Sequence, residues 1–281
     1  MPAAPLAKAI EEYHRGVQRW RFGIGPLGIG VRDRARLEAQ LGSMFGVEVE
    51  VRPFLTYGEL LDAVVVRGVH LAWMGPALYV RARDRAEVEA LVRPERESGT
   101  YYRGALFVRA DSSLRSVSDL TGARIAWVDP SSCAGYLYPR LALARAGLDP
   151  DTLGTERFVG SHGAVVRAVE SGVVDVGAGY VELESQDDPT SPIRRAAWTD
   201  TPLDARSILI TDAVPADVVV ATRALGPEDR ERVLRELTRM HSTAEGAGVL
   251  RDLFRASALR EVDRAEYDTV VAALEAAGEK L

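Results

Sequence analysis

Residues 124–139, RIAWVDPSSCAGYLYP, decide how this chain folds. RIAWV is a short apolar run of the kind carried by buried strands. The turn-forming cluster DPSS and a glycine follow at once, so a strand is expected to give way to a helix at DPSSCAG. That helix is predicted to continue through Tyr138 to Ala146. Strand, serine-bearing turn and helix form half of a βαβ unit, and the rest of the chain repeats the pattern.

Downstream, ERFV (156–159) predicts a strand, 163–171 a helix and VDVGAGYV (174–181) another strand. Upstream stand ALFVRA (105–110) and a helix around SVSDLTG (116–122). The first third has the same grammar: a strand over Trp20–Gly25, the loop GIGPLGIG (23–30), a helix from Arg32 to Met44, VEVEV (47–51), a helix from Tyr57 to Val66, and VHLAWM (69–74), stopped by Gly75-Pro76 before a further helix. IRRAAWTDTPLDARSILIT (193–211) reads as a returning strand and crossover, and the tail from Pro227 as helical. The expected fold class is α/β: two lobes, each a mainly parallel sheet flanked by helices.

A chain of 281 residues, 47% apolar and 27% charged, has the composition of an ordinary globular protein with one or two domains. Its net charge of −6, without a basic cluster, excludes nucleic acid as a partner. The single cysteine, Cys133, excludes an intrachain disulfide. No stretch reaches about 18 apolar residues, so no membrane span is expected. The opening MPAAPLAKAIEEYHRGVQRW lacks a basic segment followed by an apolar core. As written the chain therefore reads as cytoplasmic, or as periplasmic if a leader has been removed.

Chemistry-bearing residues gather where strands give way to helices. At DPSSCAG, Ser131, Ser132 and the following amides lie at a helix N-terminus, whose unpaired N–H groups and positive dipole end suit an oxyanion. The plainer alternative is that a serine here is only the N-cap. His162, in VGSHGAVVRAV, falls on a loop at a strand's carboxyl end, where open α/β sheets bind ligands. The other histidines, at 14, 70 and 241, have no partner at metal-ligand spacing, so no metal is expected.

GIGPLG places Gly23, Gly25 and Gly28 in the dinucleotide-binding spacing, with Glu48 and Glu50 following. Pro26, however, stands where free N–H groups should open the helix. Ser132, His162 and Asp175 could be combined into a hydrolase triad, but no G-x-S-x-G elbow supports it. Tyr57, Tyr79, Tyr101 and Tyr102 could be core aromatics or cleft donors.

In order and spacing, TYGELLDAVVVRGVHLAWMGPALYV (56–80), YYRGALFVRADSSLRSVSDLTGARIAWVDPSSCAGYLYP (101–139) and VGSHGAVVRAVESGVVDVGAGYV (159–181) resemble the phosphonate/phosphite/phosphate substrate-binding proteins of ABC transporters, the PhnD-like family. The resemblance runs from about Trp20 to Tyr267. It implies a type II periplasmic-binding-protein fold, with lobe 2 (107–200) inserted in lobe 1 (1–106 plus 201–281) through a two-segment hinge. It also implies non-catalytic binding of a small oxyanion, with no cofactor, and an ABC permease or a signalling partner as reader.

The phosphonate head would be held by Tyr57, Tyr102, the turn residues Ser131, Ser132, Cys133 and Ala134, and His162. Family members usually carry S-T-S-G or S-x-S-G where this chain has Ser132-Cys133-Ala134-Gly135, so hydroxyl donors are missing here. Glu182 matches a residue that takes an ammonium substituent. The region of the second such acid reads Asp204-Ala205-Arg206-Ser207, and Arg206 would favour a second negative group if it faced the cleft. The alternative function is a cofactor-biosynthesis enzyme on the same fold, with His162 and Glu182 as its acid–base pair.

Overall fold

The computed structural model describes residues 18–26, 31–185 and 187–279, and Gly28 of the GIGPLG motif lies outside them. The first part of the chain alternates strand and helix: β1 Arg19–Ile24, α1 Val31–Phe45, β2 Glu48–Pro53, α2 Tyr57–Val65, β3 Leu71–Met74, α3 Pro76–Arg85 and β4 Val88–Glu95. Next come β5 Tyr101–Arg109, β6 Ile125–Trp127, a single π-turn Cys133–Leu137 running into α4 Tyr138–Arg145, β7 Glu156–Phe158, α5 His162–Glu170, β8 Val176–Leu183, β9 Ile193–Ala196, α6 Ala197–Asp200 and β10 Ala205–Pro215. The last part holds β11 Val218–Thr222, α7 Pro227–Arg239, α8 Ala244–Val249, β12 Ala258–Glu261 and α9 Asp268–Ala276.

These strands form two sheets, one ordered β12-β4-β11-β3-β1-β2 and the other β10-β5-β8-β6-β7, with β9 added on β8. Set side by side, β4-β11-β3-β1-β2 and β10-β5-β8-β6-β7 are the same arrangement. The α/β fold with two helix-flanked sheets is therefore present, but the sheets are mixed rather than mainly parallel. β1 runs parallel to β2 and β3, and β6 parallel to β7 and β8. β11 and β5 run antiparallel to both of their neighbours. The parallel strands β1, β3 and β6 point their carboxyl ends at a common cleft. A segment arriving from the other sheet enters at that edge and must run the opposite way.

The tail departs from the helical expectation at β12, which pairs with β4 from Ala258 against Glu95 to Glu261 against Val92. ALRE is too short to show a period, and its partner strand defines it.

Each sheet is packed on both faces. Trp20, Phe22, Leu41, Phe45, Trp73 and Phe254 share one core of the first sheet. Its other core joins Leu60, Leu78, Tyr79, Tyr267 and Leu274 to Cys133, Leu137 and Tyr138, so the serine turn of the second sheet is seated on α3 and α9. The Tyr138 hydroxyl meets Thr269 Oγ1 at 3.2 Å across that contact. The two segments joining the sheets run side by side: Tyr101 and Tyr102 pair with Pro215 and Val214, and Ala216 N donates to Thr100 O at 3.1 Å. Among the described residues no helix is long and apolar enough to cross a membrane.

Candidate functional site

Between the sheets lies a cavity of about 590 Å³ lined by residues of both. From the first come Gly25, Pro26, Tyr57, Trp73, Gly75, Phe254 and Arg255; from the second Ser131, Ser132, Cys133, Ala134, His162, Tyr180, Glu182, Arg195 and Asp200. Arg96, Tyr102 and Asp217 approach it from the joining segments.

The serine turn is shaped by its own hydrogen bonds. Ser131 N donates to Asp129 Oδ1 at 2.7 Å, and Ser132 N to Asp129 O at 2.9 Å. Ser132 is the N-cap, its Oγ accepting from Gly135 N at 3.0 Å. Capping uses a lone pair and leaves the hydroxyl proton to donate, so the cap and ligand readings of Ser132 are compatible. Cys133 and Ala134, in the first turn, have N–H groups without an intrahelical acceptor. A Cβ on Gly135 would fall 2.4 Å from Val128 Cγ2 and 2.8 Å from Ser132 Oγ, so only glycine lets the turn close.

Tyr57 opens α2 directly after Thr56, which caps the helix in a reciprocal box with Glu59. Burial, with Asp217 and Asp129 nearby, raises its phenol far above the ordinary tyrosine value. Tyr102 is raised in the same way by burial. Both phenols therefore stay protonated as donors. Burial also pushes the Cys133 thiol up to about 12 and holds it as an unionised group.

His162 starts α5 behind the N-cap Ser161, whose Oγ accepts from Ala164 N at 3.2 Å. Its ring stands edge-on to Tyr180, centroids 5.0 Å apart, and its Nδ1 is buried without a hydrogen-bond partner among the described residues. Burial lowers its pKa to about 4, with Asp200 pulling the other way, so the ring is neutral.

One wall of the cleft is a charge network that local sequence did not reveal. Arg195 stands opposite Glu182 in the β8–β9 ladder and donates to its Oε1 at 3.1 Å. The same guanidinium grips Asp200 through Nε at 2.9 Å and through Nη2. Tyr180 donates to Asp200 at 2.5 Å, and Arg255 reaches Asp200 from the first lobe at 2.8 Å. Burial would raise the Asp200 carboxyl, but the hydrogen bonds from Arg195, Tyr180 and Arg255 hold it far below its ordinary value. Desolvation raises Asp217, with Arg96 opposing.

The structure thus gathers Tyr57, Tyr102, Ser131, Ser132, Cys133, Ala134, His162 and Glu182 around one cavity and leaves Arg206 out. Arg206 pairs with Val108 far along β10, and its Nη2 donates to the carbonyls of Ser112, at 3.1 Å, and Leu114. Seven strand residues, 207–213, separate it from Val214 at the joining segments, roughly 25 Å of chain. The triad does not assemble either: Asp175 takes Arg124 N, Nε and Nη2 at 3.0, 3.0 and 2.7 Å. Nor are His162 and Glu182 joined, since the carboxylate of Glu182 is occupied by Arg195 and, at 3.4 Å, by Ser98. Glu50 of the dinucleotide reading pairs with Arg52 at 2.7 Å and Arg19 at 3.5 Å. Trp73, Arg96, Tyr180, Arg195, Asp200, Asp217 and Arg255 are additions that only the tertiary structure brings.

Compared with known proteins, residues 30–267 match the family model for the periplasmic phosphonate substrate-binding protein of ABC transporters. The phosphate-import protein PhnD of Mycolicibacterium smegmatis is 25% identical over 203 residues, 68% of this chain and 60% of its own length. A probable ABC transporter phosphite-binding protein, PhnD1 of Prochlorococcus marinus, is 26% identical over 147 residues, 50% of this chain and 49% of that one. The chain thus spans about half to three fifths of these relatives. Among solved structures, that of Prochlorococcus marinus PhnD1 with methylphosphonate superposes with a TM-score of 0.79 at 17% identity, covering 94% of this chain and 100% of that one. A phosphonate-transporter binding protein of Pseudomonas aeruginosa gives 0.76 at 20% identity, covering 91% and 85%. At these identities the likeness is one of fold.

Proposed function

The chain belongs to the family of periplasmic phosphonate substrate-binding proteins of ABC transporters, and on that premise we propose that it captures a small phosphorus oxyanion between its lobes and passes it unchanged to a permease. The family is one of binding proteins rather than enzymes. The observation that carries this reading is the convergence on one cavity of donors from both lobes: the phenols of Tyr57 and Tyr102, the Ser132 hydroxyl, the amides of Cys133 and Ala134, and neutral His162. These suit a tetrahedral oxyanion, because they supply fixed N–H and O–H groups at a helix start.

Tyr57 belongs to one lobe and Ser132 and His162 to the other, so the full donor set exists only while the lobes are together. Closure by hinge motion would follow, with the hinge at 96–101 and 215–218 rather than at 107 and 200, since each sheet is complete within those limits. Work with a permease would place the protein outside the cytoplasmic membrane.

A thermal-shift and calorimetric screen with phosphate, phosphite, methylphosphonate and sulfate tests the proposal. A ligand that binds only the folded state raises the melting temperature by mass action. A rise with at least one phosphorus oxyanion and one site per chain is expected; a flat response to all three would overturn it.

A further inference from the structure

The cleft wall beyond the serine turn carries Arg96, Arg195 and Arg255 against Glu182, Asp200 and Asp217. Two of these carboxylates are engaged at hydrogen-bond distance by protein cations. Glu182, only 8% exposed, accepts from Arg195 at 3.1 Å and from Ser98 at 3.4 Å. Asp200 is shared by Arg195, Arg255 and Tyr180. A cationic substituent directed at Glu182 or Asp200 would have to displace a guanidinium from a desolvated carboxylate, and like charges would meet at close range, while desolvation raises the pKa of the third carboxyl, Asp217, and so disfavours its charged form.

Arg96 is the opposite case. It is rooted in the tight turn Arg96–Gly99, where the two residues exchange backbone hydrogen bonds of 2.9 Å. Its two ion pairs, to Glu182 and to Asp217, are both 3.9 Å long, beyond hydrogen-bond reach. Its Nη2 meets Phe254 O only at 3.5 Å, and its Nε is buried without a hydrogen bond among the described residues. Trp73, 8% exposed with its ring against Phe254, likewise has a buried Nε1 without a partner there. A guanidinium with unused donors, lining the same cavity as a second residue with an unused N–H, can serve as a receptor for acceptor oxygens.

We infer that the ligand carries, besides its phosphorus oxyanion head, a second anionic oxygen group, a carboxylate or a further phosphoryl, received by Arg96, and that Arg195 bars an ammonium substituent by occupying Glu182. This rests on the oxyanion-capture reading above and specifies the substituent. The second negative group that a residue at 206 would have favoured is thus supplied with a partner at 96.

Calorimetric titration of the full chain with methylphosphonate, 2-aminoethylphosphonate, phosphonoacetate and methylenediphosphonate tests it. Phosphonoacetate or methylenediphosphonate is expected to bind at least about tenfold more tightly than 2-aminoethylphosphonate, and whichever is tighter names the group. In Arg96→Gln that ratio should collapse toward one. Taking the ratio within each protein cancels a uniform loss of folded material, and if the variant fails to fold the wild-type ratio alone decides. Equal or tighter binding of 2-aminoethylphosphonate by the wild type overturns the inference while leaving oxyanion capture standing. An unmoved ratio in a folded Arg96→Gln removes Arg96 as the receptor. Failure of all four probes sinks this inference, and the oxyanion reading falls with it only if phosphate and phosphite fail as well.

Discussion

His162 is the residue whose environment most changes its chemistry. Buried at the start of α5 it has a pKa of about 4, whereas in the unfolded chain it would titrate near its ordinary value of about 6.5. Between those limits the unfolded state binds the extra proton. The stability at stake is therefore fully present above about pH 6.5 and is lost as the pH falls toward 4. His70 is lowered by burial in the same direction, so the diagnostic is a difference: melting curves from pH 4 to 7 should fall more steeply for wild type than for His162→Gln. Equal slopes would mean the ring is solvated. For binding, His162→Ala and Ser132→Ala should each weaken methylphosphonate by about 1–3 kcal/mol, the range for leaving a charged oxygen without its partner; titration calorimetry reads this directly. Ser132 and His162 were legible in the sequence because a serine-rich turn and a lone histidine each fall where a strand gives way to a helix. Arg195 was not, since it meets Glu182 only through the β8–β9 register. Arg96 was not either, because RPERES (93–98) carries no local pattern that points to a cleft, and only its place on the segment joining the sheets brings it to the cavity.

At the scale of elements, the runs with the clearest period appear close to where they are expected: α1 at Val31–Phe45, α2 at Tyr57–Val65 and α5 at His162–Glu170. Strand sense was not legible, because it depends on the sheet edge at which a segment arrives. Nor could spacing show that DPSSCAG opens with a π-turn before α4. That wide turn requires residue 135 to lie against Val128, and the contact yields a test. Gly135→Ala would set a methyl carbon 2.4 Å from Val128 Cγ2 and 2.6 Å from its Cβ, both in a packed core. Overpacking of this kind costs about 1–3 kcal/mol. Because Ser132 Oγ lies 2.8 Å from the same point, the cap must move as well. Urea unfolding should register the loss of stability, and oxyanion affinity should fall with it; a fully stable variant with normal binding would show that the turn can widen freely.

For the whole molecule, the shared strand order means that each lobe presents the same cleft edge, and the segments at Thr100 and Ala216 join the two. The closure proposed above then depends on contacts between the rims. Arg255 makes one, reaching Asp200 at 2.8 Å from the opposite lobe. It does so from a left-handed backbone with φ of 47°, a conformation costing a non-glycine residue about 1–2 kcal/mol. Arg255 is 62% exposed at its side chain, so the ion pair itself contributes no more than about 1 kcal/mol. Arg255→Gly separates the two effects. Relief of the backbone should leave the melting temperature unchanged or higher, while loss of the rim contact should speed ligand release by up to about fivefold, the equivalent of 1 kcal/mol. Stopped-flow dissociation at low and high salt is the measurement. Wild-type release should quicken as salt screens the pair, and the variant's should respond less. If both proteins release ligand equally fast at low salt, the rim pair plays no part in holding the lobes together, and closure rests on the ligand and the joining segments alone.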